Sequence, residues 1–485
     1  MNTNSEDLII MLKDTPVIQV NFANGVYKFL NKAKAPFLLQ DQIRTQQITK
    51  NTQYDLQQSR VIDRANSGAV ISFLASRVLP ITREHAKKIY ELFGATQMQD
   101  PVTKAKIAIT CRAVSLQDNY WVKLAHETLS WKDVDIRTNH LNEIVTQIAL
   151  YGSGLTLTGD LLSPEFTTHG AYTKAWMRDN NDLYLYKLGT PIPGPDGEPV
   201  PGSWESKIEV AVSNILDKCN VNHLKYEAAN VYNPIFNEDT YACKCKCMTT
   251  EDVSILSGSD FTAWCRIRGL DPCEEALKID SENIYKMWIV DYLISNRDRH
   301  DMNWGFFYDC NSMRIIGCHP LYDHNNSFDR ATMMDKDRPY LYDNSHTMRQ
   351  AAEYAMKKVD FHFTEEITRE DFLTDRQYQS FMDRANDLHI ELKKEISLTE
   401  SLPARMEKTW FAFSVLPKAE REKGIEFDGQ KVRLAYFDDV YLLECEKAGI
   451  KPNKQIYDHF WKNCVAIQEY EPRFCKNVNR HEEIE

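Results

Sequence analysis

The sequence has no apolar stretch that is both long enough to span a membrane and free of charge. Its first residues, Met1 to Asp7, lack the basic start and apolar run of a signal peptide. An excess of positive charge is lacking too, because 58 Lys and Arg face 70 Asp and Glu, for a formal net charge of -12. Such a chain does not coat nucleic acid through its overall field. These absences predict a cytoplasmic protein without direct membrane association and without strong nucleic-acid binding by itself.

A disulfide framework is not expected, although the sequence holds 12 cysteines. They are scattered, and often lie in apolar segments such as Ile316–Cys318, which is typical of buried thiols in a reducing compartment. Cys243, Cys245 and Cys247 alternate with lysines and would share one face of a strand. Structural zinc sites usually separate paired cysteines by two or more residues. The alternation therefore favours a strand over a metal site.

The length of 485 residues, with 43% hydrophobic and 26% charged content, allows two or more domains with their own cores. Residues 1–145 show helix-like apolar spacing at Ala69–Leu74 and Ala86–Phe93. Asp100-Pro101 indicates a break in the chain between helices. We predict a mainly helical N-terminal region here, with no catalytic constellation.

Residues 146–248 change to short alternating segments, which predict a small antiparallel sheet with one helix. A turn signal at Asp179–Asp182 joins two of the strands. A Pro- and Gly-rich loop, Gly189–Gly202, precedes a helix that Ser203 can cap. The predicted strands are Leu155–Thr158, Tyr172–Arg178, Leu183–Leu188 and the Cys/Lys alternation up to Met248.

Residues 249–485 are predicted to be mostly helical, including helices near the C-terminus. A helix of buried-type residues, Ser281–Ile294, runs directly into the polar segment Asn296–Asn303. A predicted hairpin over Trp304–Cys318 separates this segment from Asp323. The chain as a whole is therefore predicted to be α+β, with a small antiparallel-sheet lobe and a mostly helical lobe.

Three polar residues in this part of the chain carry the pattern of a phosphoryl-transfer site. In protein kinases, a catalytic-loop Asp is followed five positions later by a metal-binding Asn, and a second metal-binding Asp comes after a short hairpin. Asp298, Asn303 and Asp323 reproduce this order. Magnesium prefers carboxylate and amide oxygens. The pattern predicts Asp298 as catalytic base and Asn303 and Asp323 as ligands of magnesium on bound ATP.

Each of these residues alone would be ordinary loop chemistry, because Asp and Asn form local turns and caps. Their joint occurrence, after a buried-type helix and across a hairpin, favours a kinase-like site. His300 lies in the same loop. It is predicted to give structural support, since Asp298 already supplies the base.

The loop departs from the His-Arg-Asp triplet of common protein kinases, since residues 296–298 are Asn-Arg-Asp. The pattern Asn-x-Asp-x-His-x-x-Asn at 296–303, with Leu-Tyr-Asp at 321–323, resembles the HipA-like serine/threonine kinases of bacterial toxin-antitoxin systems. The resemblance implies a bilobal protein-kinase-like fold that uses ATP and magnesium to phosphorylate a protein Ser or Thr. It also implies a small antitoxin-like DNA-binding partner.

The same resemblance implies nucleotide contacts in the smaller lobe. Lys187 lies in the strand before the capped helix, where such kinases place a phosphate-contacting lysine. Glu209 on that helix would be its ion-pair partner, with Glu205 as the reserve candidate. In the alternative, Lys187 is a solvated edge lysine and both glutamates belong to a charged helix face. The residues predicted to contact ATP are Lys187, Glu209, Lys174, Gly170, Thr168 and Met248.

Residues 163–174 stand where a phosphate-covering loop would lie, but they contain a single glycine and lack the Gly-x-Gly-x-x-Gly pattern. HipA-like kinases can phosphorylate this loop themselves. Ser163, Thr167 and Thr168 are therefore candidates for autophosphorylation, and the added charge would disfavour ATP.

Two other functions fit parts of the sequence. The smaller phosphoinositide kinases also use an Asn-x-Asp-Arg loop, but the sequence shows neither a basic amphipathic helix nor a palmitoylation-like cysteine cluster. The other alternative is a nucleotide-bound scaffold or co-repressor that partners a DNA-binding antitoxin without turnover. The presence of the base and both metal ligands counts against it. The sequence does not identify the phosphorylated substrate.

Overall fold

The computed structural model describes residues 7–23, 25–50, 58–80, 85–91, 100–139, 141, 143–151, 172–193, 199–233, 237–340, 346–390, 423, 425–427, 430–432 and 442. The chain divides into two compact units. The first comprises Met1–Leu188, Asn222–Met287 and Asp298–Asp323, and the second comprises Gly189–Val221, Trp288–Arg297 and His324–Glu485. None of the helices in the described ranges is long and apolar enough to cross a membrane.

The first unit begins with a six-stranded antiparallel sheet in the order β4-β5-β3-β2-β1-β6. Strand β1 alternates between two cores: Leu8 and Ile10 pack in one cluster of buried residues, and Met11 packs in another. A strand that is apolar on both faces lies inside a packed body. The strands are β1 (Leu8–Leu12), β2 (Thr15–Asn21), β3 (Val26–Phe29), β4 (Ile43–Lys50), β5 (Gln58–Ala65) and β6 (Tyr120–Leu124).

Six helices of the described residues accompany this sheet. The Asn66 side chain caps α2, and the Asp100 side chain accepts from the Thr103 N–H at the start of α4, where Pro101 is the first residue. These helices are α1 (Phe37–Gln40), α2 (Ser67–Ala75), α3 (Ala86–Glu91), α4 (Pro101–Thr110), α5 (Trp131–Val134) and α6 (Glu143–Tyr151).

The prediction of a mainly helical region over residues 1–145 is wrong, because the six-stranded sheet lies within it. The helices predicted at Ala69–Leu74 and from Ala86 are confirmed as α2 and α3. The strands were missed for a physical reason. Short apolar runs such as Leu8–Leu12 are buried on both faces, so they lack the alternation that separates a strand from a buried helix.

A four-stranded antiparallel sheet, in the order β11-β12-β8-β7, follows in the first unit. The predicted hairpin of two strands is confirmed as β7 and β8, and the Cys/Lys alternation is confirmed as a strand, β12. Asn180 and Asn181 close the hairpin with φ of 51° and 74°, the left-handed conformation that two-residue hairpin turns favour. The predicted strand Leu155–Thr158 lies outside the described residues. The strands are β7 (Lys174–Asp179), β8 (Asp182–Lys187), β11 (Tyr226–Asn233) and β12 (Glu238–Lys246).

The remainder of the first unit holds a three-stranded sheet, β13-β14-β15. The predicted hairpin is confirmed as β14 (Gly305–Asp309) and β15 (Arg314–Cys318), and β13 (Val253–Ser257) adds a strand that was not predicted. Helix α8 (Gly258–Ile267) follows β13 directly, with Ser257 as its cap. The predicted helix over Ser281–Ile294 is confirmed within α9 (Pro272–Leu293), which kinks at Asp280.

The second unit is largely helical within its described residues. Its helix α7 confirms the predicted helix behind Ser203. The segment predicted as a loop, Gly189–Gly202, instead contains two paired strands, because residues flanking a proline favour extended backbone. Most residues after 390 lie outside the described ranges, including those of the predicted C-terminal helices. The elements are β9 (Gly189–Pro193), β10 (Pro199–Gly202), α7 (Trp204–Asp217), α10 (Arg330–Met334), α11 (Met348–Met356), α12 (Asp375–Asp387), β16 (Ile425–Phe427) and β17 (Gln430–Val432).

The N-terminal sheet and the β7-β8 hairpin share their cores. One cluster of buried residues contains Ile10 of β1 together with Ala175 of β7, and another contains Trp121 of β6 together with Leu183 of β8. The N-terminal region therefore packs directly against the sheet that carries the predicted nucleotide-binding lysines. All strand pairs in the described sheets are antiparallel, in agreement with the predicted α+β class.

Candidate functional site

The first unit contains a cavity of about 340 Å³ lined by the ends of its four-stranded sheet and by the loops around β14 and β15. This volume lies within the usual range of ligand pockets, roughly 300 to 1,000 Å³. The cavity brings together residues from seven separate stretches of the sequence. The predicted site residues that line it are Lys174, Lys187, Met248, His300, Asn303 and Asp323.

A buried ion pair lies in this cavity. The Nζ atom of Lys187 lies 2.8 Å from Oδ1 of Asp323. The same Nζ donates to the hydroxyl of Tyr226 over 3.1 Å and lies 4.9 Å from the centre of its ring. Tyr226 is the first residue of β11, Lys187 is the last residue of β8, and Asp323 lies in the loop after β15. These contacts hold the Lys187 ammonium group beside the loop that carries Asp323.

The position of Asp323 is fixed by its backbone and by its charged neighbours. Its φ of 59° is left-handed, which is uncommon for a residue other than glycine and is found at functional sites. Burial acts to raise the pKa of this carboxyl, but the charges of Lys187 and Lys174 and the hydrogen bond from Lys187 outweigh it and hold the pKa well below its usual range. Asp323 is therefore ionised at neutral pH.

The predicted catalytic loop folds on itself through short hydrogen bonds. The side-chain amide of Asn303 and the backbone N–H of His300 both donate to the carbonyl oxygen of Asp298, over 2.9 and 2.8 Å. The ring Nδ1 of His300 accepts from the Met302 N–H over 3.1 Å. These contacts hold Asn303 against Asp298, five residues away in the sequence. Asp298 and Asn303, five positions apart in the sequence, are therefore in contact in the folded loop.

Arg299 joins this loop to the loop that carries Asp323, a role that the sequence did not indicate. Its guanidinium is fully buried and donates from one nitrogen to the carbonyl oxygens of Asn303 and Tyr322, over 2.7 and 2.9 Å. The hydroxyl of Tyr322 donates in return to the Met302 carbonyl over 2.5 Å. Because the Arg299 guanidinium binds both loops, it holds Asn303 and Tyr322 at a fixed distance from each other.

The two glutamates predicted on the capped helix lie in the second unit. Glu209 is fully buried, and its Oε2 accepts from the backbone N–H of His324 over 2.9 Å. Glu205 accepts from the Thr190 N–H and hydroxyl, over 3.0 and 2.5 Å. The pairing of Lys187 with a glutamate of this helix stays a prediction.

The predicted phosphate loop lies outside the described residues, which begin again at 172 after a gap that starts at 152. The affected predictions are those for Ser163, Thr167, Thr168 and Gly170. Their roles in ATP contact and autophosphorylation stay predictions.

One wall of the cavity comes from the N-terminal region, in which we predicted no functional residue. Leu116 and Gln117 line the cavity beside Met248. The Thr249 hydroxyl donates to the carbonyl of Leu116, and the Ile255 N–H donates to that of Gln117 over 2.7 Å. The sequence of this segment carries no motif, so it could not be assigned to the site from the sequence. The packing of β6 against β8 brings it to the cavity. The wall makes the N-terminal region part of the site.

The residues of the cavity fit a magnesium nucleotide. No group of three or more His, Cys, Asp or Glu side chains that could hold a metal occurs in the described part of the chain. Magnesium does not require one, because it usually takes one or two protein oxygens and completes its shell with water and phosphate. Asn303 and Asp323 offer an amide and a carboxylate in one cavity, and Lys174 and Lys187 offer positive charge for phosphates.

No protein-family model matches the chain. No curated protein matches it either. Among solved structures, it is similar to a HipA from Shewanella oneidensis MR-1 in complex with HipB and operator DNA, with a TM-score of 0.42 and 10% identity over 91% of this chain and 98% of that chain. It is also similar to the proinflammatory kinase CtkA of Helicobacter pylori, with a TM-score of 0.24 and 13% identity over 61% of this chain and 94% of that chain. At these low TM-scores, the case for function depends on the geometry of the site.

Proposed function

We propose that this chain is a HipA-like kinase that uses ATP and magnesium to transfer the γ-phosphate to a Ser or Thr hydroxyl of a protein. The observation that carries the proposal is the Lys187 to Asp323 contact of 2.8 Å, in a cavity that Asn303 also lines. Lys187 and Asp323 are 136 positions apart in the sequence, and the fold brings them into contact. Phosphoryl transfer needs a phosphate-binding lysine and a metal-binding carboxylate in one site. A structural ion pair alone would not require Asn303 in the same cavity.

The side chains divide the work of the reaction between them. Lys187 and Lys174 bind the phosphates by charge. Asp298 accepts the proton of the acceptor hydroxyl. The oxygen of that hydroxyl bonds to the γ-phosphorus as the bond between the γ-phosphorus and ADP breaks. Asn303 and Asp323 hold magnesium, which when bound neutralises charge on the phosphates.

The apolar part of the lining suits the base of the nucleotide. It includes Leu116, Leu185, Cys247 and Met248. Apolar walls of this kind bury a flat aromatic ring, while the lysines select the phosphates. The lining therefore offers both apolar and charged groups, as the binding of an adenosine phosphate requires.

The decisive experiment compares the wild type with Asp298→Asn in a phosphorylation assay with labelled ATP and magnesium. We expect phosphotransfer to fall by at least 100-fold, since general-base catalysis contributes roughly 10² to 10⁴. Nucleotide binding, followed by thermal shift, should persist. Asp309→Asn is the matched control, because Asp309 ends β14 outside the cavity lining.

The outcomes separate kinase from scaffold. If Asp298→Asn keeps the biological function and neither protein transfers phosphate, the scaffold alternative is correct. If Asp298→Asn transfers phosphate as fast as the wild type, Asp298 is not the catalytic base. If neither protein transfers phosphate although both bind ATP, the proposed enzyme is wrong.

The acceptor is part of the same proposal. Offering mixed lipids and proteins in one assay distinguishes a lipid kinase from a protein kinase, and we expect label on protein. Mass spectrometry of the chain itself then reports on Ser163, Thr167 and Thr168. Phosphate on any of them would identify the segment of residues 163–174 as an acceptor, in agreement with the proposed autophosphorylation.

A partner and a location complete the proposal. We propose a small DNA-binding partner of the antitoxin type and a cytoplasmic location, in line with the acidic net charge of -12. Co-expression with a candidate partner, followed by size-exclusion chromatography, tests the association. Elution of the two chains at separate volumes would contradict it.

A further inference from the structure

Two arginines of the second unit, Arg297 and Arg338, converge on one buried carboxylate and are called here the arginine pair. The Nη1 atom of Arg297 lies 3.5 Å from Oδ1 of Asp329, and the Nη1 atom of Arg338 lies 3.9 Å from Oδ2. The Asp329 side chain is 6% exposed, whereas those of the two arginines are 42% and 38% exposed. Two positive charges therefore face one negative charge, and the excess is presented to solvent.

The arginine pair is not needed to hold this carboxylate in place. Oδ2 of Asp329 accepts from the N–H and the hydroxyl of Thr332, each over 3.1 Å. Charge-assisted hydrogen bonds to a carboxylate are about 2.7 to 2.9 Å long, so at 3.5 and 3.9 Å neither guanidinium is hydrogen-bonded to it. Within the described ranges, the one hydrogen bond from either guanidinium joins Arg338 Nη1 to the Thr332 hydroxyl, over 3.5 Å. A guanidinium has several N–H donors, so most of them are available to a ligand.

A buried carboxylate of α9 anchors both segments that carry the arginine pair. Asp291 is fully buried, and it accepts from the side-chain amide of Asn296 over 3.1 Å and from the hydroxyl of Tyr340 over 2.6 Å. Asn296 directly precedes Arg297, and Tyr340 lies two residues after Arg338. The backbones of the two arginines are thereby held in place before any ligand arrives. Such preorganisation lowers the entropy lost on binding.

The chemistry of the arginine pair indicates an anionic ligand. The planar donor fork of an arginine binds a carboxylate or a phosphate through two hydrogen bonds. Arg297 is bonded directly to Asp298, the proposed base, so the pair belongs in part to the loop that would accept the hydroxyl proton. A polyanion such as nucleic acid fits less well, because the chain as a whole carries a net charge of -12. A single acidic side chain of a protein matches the excess positive charge.

We propose that the arginine pair binds an acidic side chain of the acceptor protein, so that the chain selects substrates with Asp or Glu flanking the phosphorylated Ser or Thr. This inference rests on the proposed function, because a kinase must hold its acceptor beside the base. Arg297 and Arg338 then determine specificity and take no part in the chemistry. Their loss should therefore raise KM for an acidic acceptor and leave kcat unchanged.

The test compares two fluorescein-labelled peptides in which a single Ser is flanked by Glu or, in the matched peptide, by Gln. Binding to the full chain is followed by fluorescence anisotropy at low salt. We expect the Glu peptide to bind roughly tenfold more tightly, the effect of one charge-assisted contact. The preference should shrink at about 1 M salt, where the screening length falls to roughly 3 Å. It should weaken in Arg297→Gln and in Arg338→Gln, and disappear in the double variant.

The matched control is Arg268→Gln, because Arg268 is also about one-third exposed and also pairs with an aspartate, Asp41, over 2.7 Å. It should keep the preference of the wild type for the Glu peptide. Equal wild-type affinity for the two peptides, no binding of either, or a preference that survives in the double variant overturns the proposal. Tighter binding of a duplex DNA, lost in the same variants, would assign the arginine pair to nucleic acid and overturn it too.

Phosphotransfer from labelled ATP, measured with the same two peptides, separates this inference from the proposed function. If the wild type labels itself, or labels both peptides with the same KM, the kinase stands and the acidic preference is wrong. If the Glu peptide binds through the arginine pair but no phosphate is transferred to any acceptor, the binding surface stands and the kinase is wrong.

Discussion

The ammonium of Lys187, on β8, lies 2.8 Å from the carboxylate of Asp323, beyond the hairpin of β14 and β15. The contact is buried, with the two side chains 7% and 19% exposed. A buried pair of this kind contributes little to stability, because desolvation offsets the attraction. We therefore expect the pair to serve ligand binding rather than the stability of the fold.

Replacing Lys187 by methionine should remove nucleotide binding and lower phosphotransfer by roughly 100-fold or more. The cause is the loss of positive charge at the phosphate end of the cavity. The matched control is Lys244→Met, because Lys244 also pairs with an aspartate on this sheet, Asp179, over 2.6 Å, but does not line the cavity. Calorimetric titration of a non-hydrolysable ATP analogue measures the effect. Similar affinities in the two variants would contradict the assignment.

Arg299→Met should lower the free energy of unfolding by about 3 kcal/mol, because two buried carbonyl oxygens lose a charged donor. Arg297→Met is the control: the Arg297 side chain is 42% exposed, and its loss should cost less than about 1 kcal/mol. Urea denaturation followed by tryptophan fluorescence gives both values. An equal loss in the two variants would show that Arg299 does not join the loops.

Cys247 should be protected from alkylation by bound nucleotide, because it lines the cavity. Cys273 is also half-buried but lies outside the lining, which makes it an internal control in the same sample. Iodoacetamide labelling with and without ATP and magnesium, read by mass spectrometry, should show slower modification at Cys247 alone. Equal rates at Cys247 in both samples would place the nucleotide elsewhere.

Stability should fall in mild acid because of His319. Burial lowers the pKa of this histidine to about 4, from 6.5. The unfolded chain therefore takes up a proton below pH of about 6.5 that the folded chain refuses until about 4, so stability is lost in this window, by up to about 3 kcal/mol. Denaturation midpoints at several pH values should decline less in His319→Gln. Parallel curves for the two proteins would exclude His319 as the cause.

The sequence predicted which loop residues lie close together better than it predicted their surroundings. The spacing of Asp298, Asn303 and Asp323 is set within one loop and one hairpin, and local contacts such as that of Asn303 with the Asp298 carbonyl bring the loop residues together. The roles assigned to these residues stay predictions. Lys187 needed the family resemblance as well, since a lysine on an alternating strand has no distinct signal of its own.

The residues that were missed depend on contacts between distant segments. Tyr226 meets Lys187 only because β11 and β8 both pair with β12. Leu116 reaches the cavity because the sheet of β1 and β6 packs against β8, and that sheet was itself missed. Tertiary packing of this kind leaves no periodicity in the sequence, so it could not be predicted from spacing.

The wall formed by Leu116 and Gln117 bears on which truncated fragments of this protein can bind a nucleotide. A fragment that begins after residue 145 would retain the lysines and both acidic loops, yet the base of the nucleotide would lie open to water on one side. Excising the first third of the chain should therefore weaken ATP retention, and it would also remove the core residues that pack against β7 and β8. Substitutions accumulated in that third would alter nucleotide affinity without touching a catalytic group.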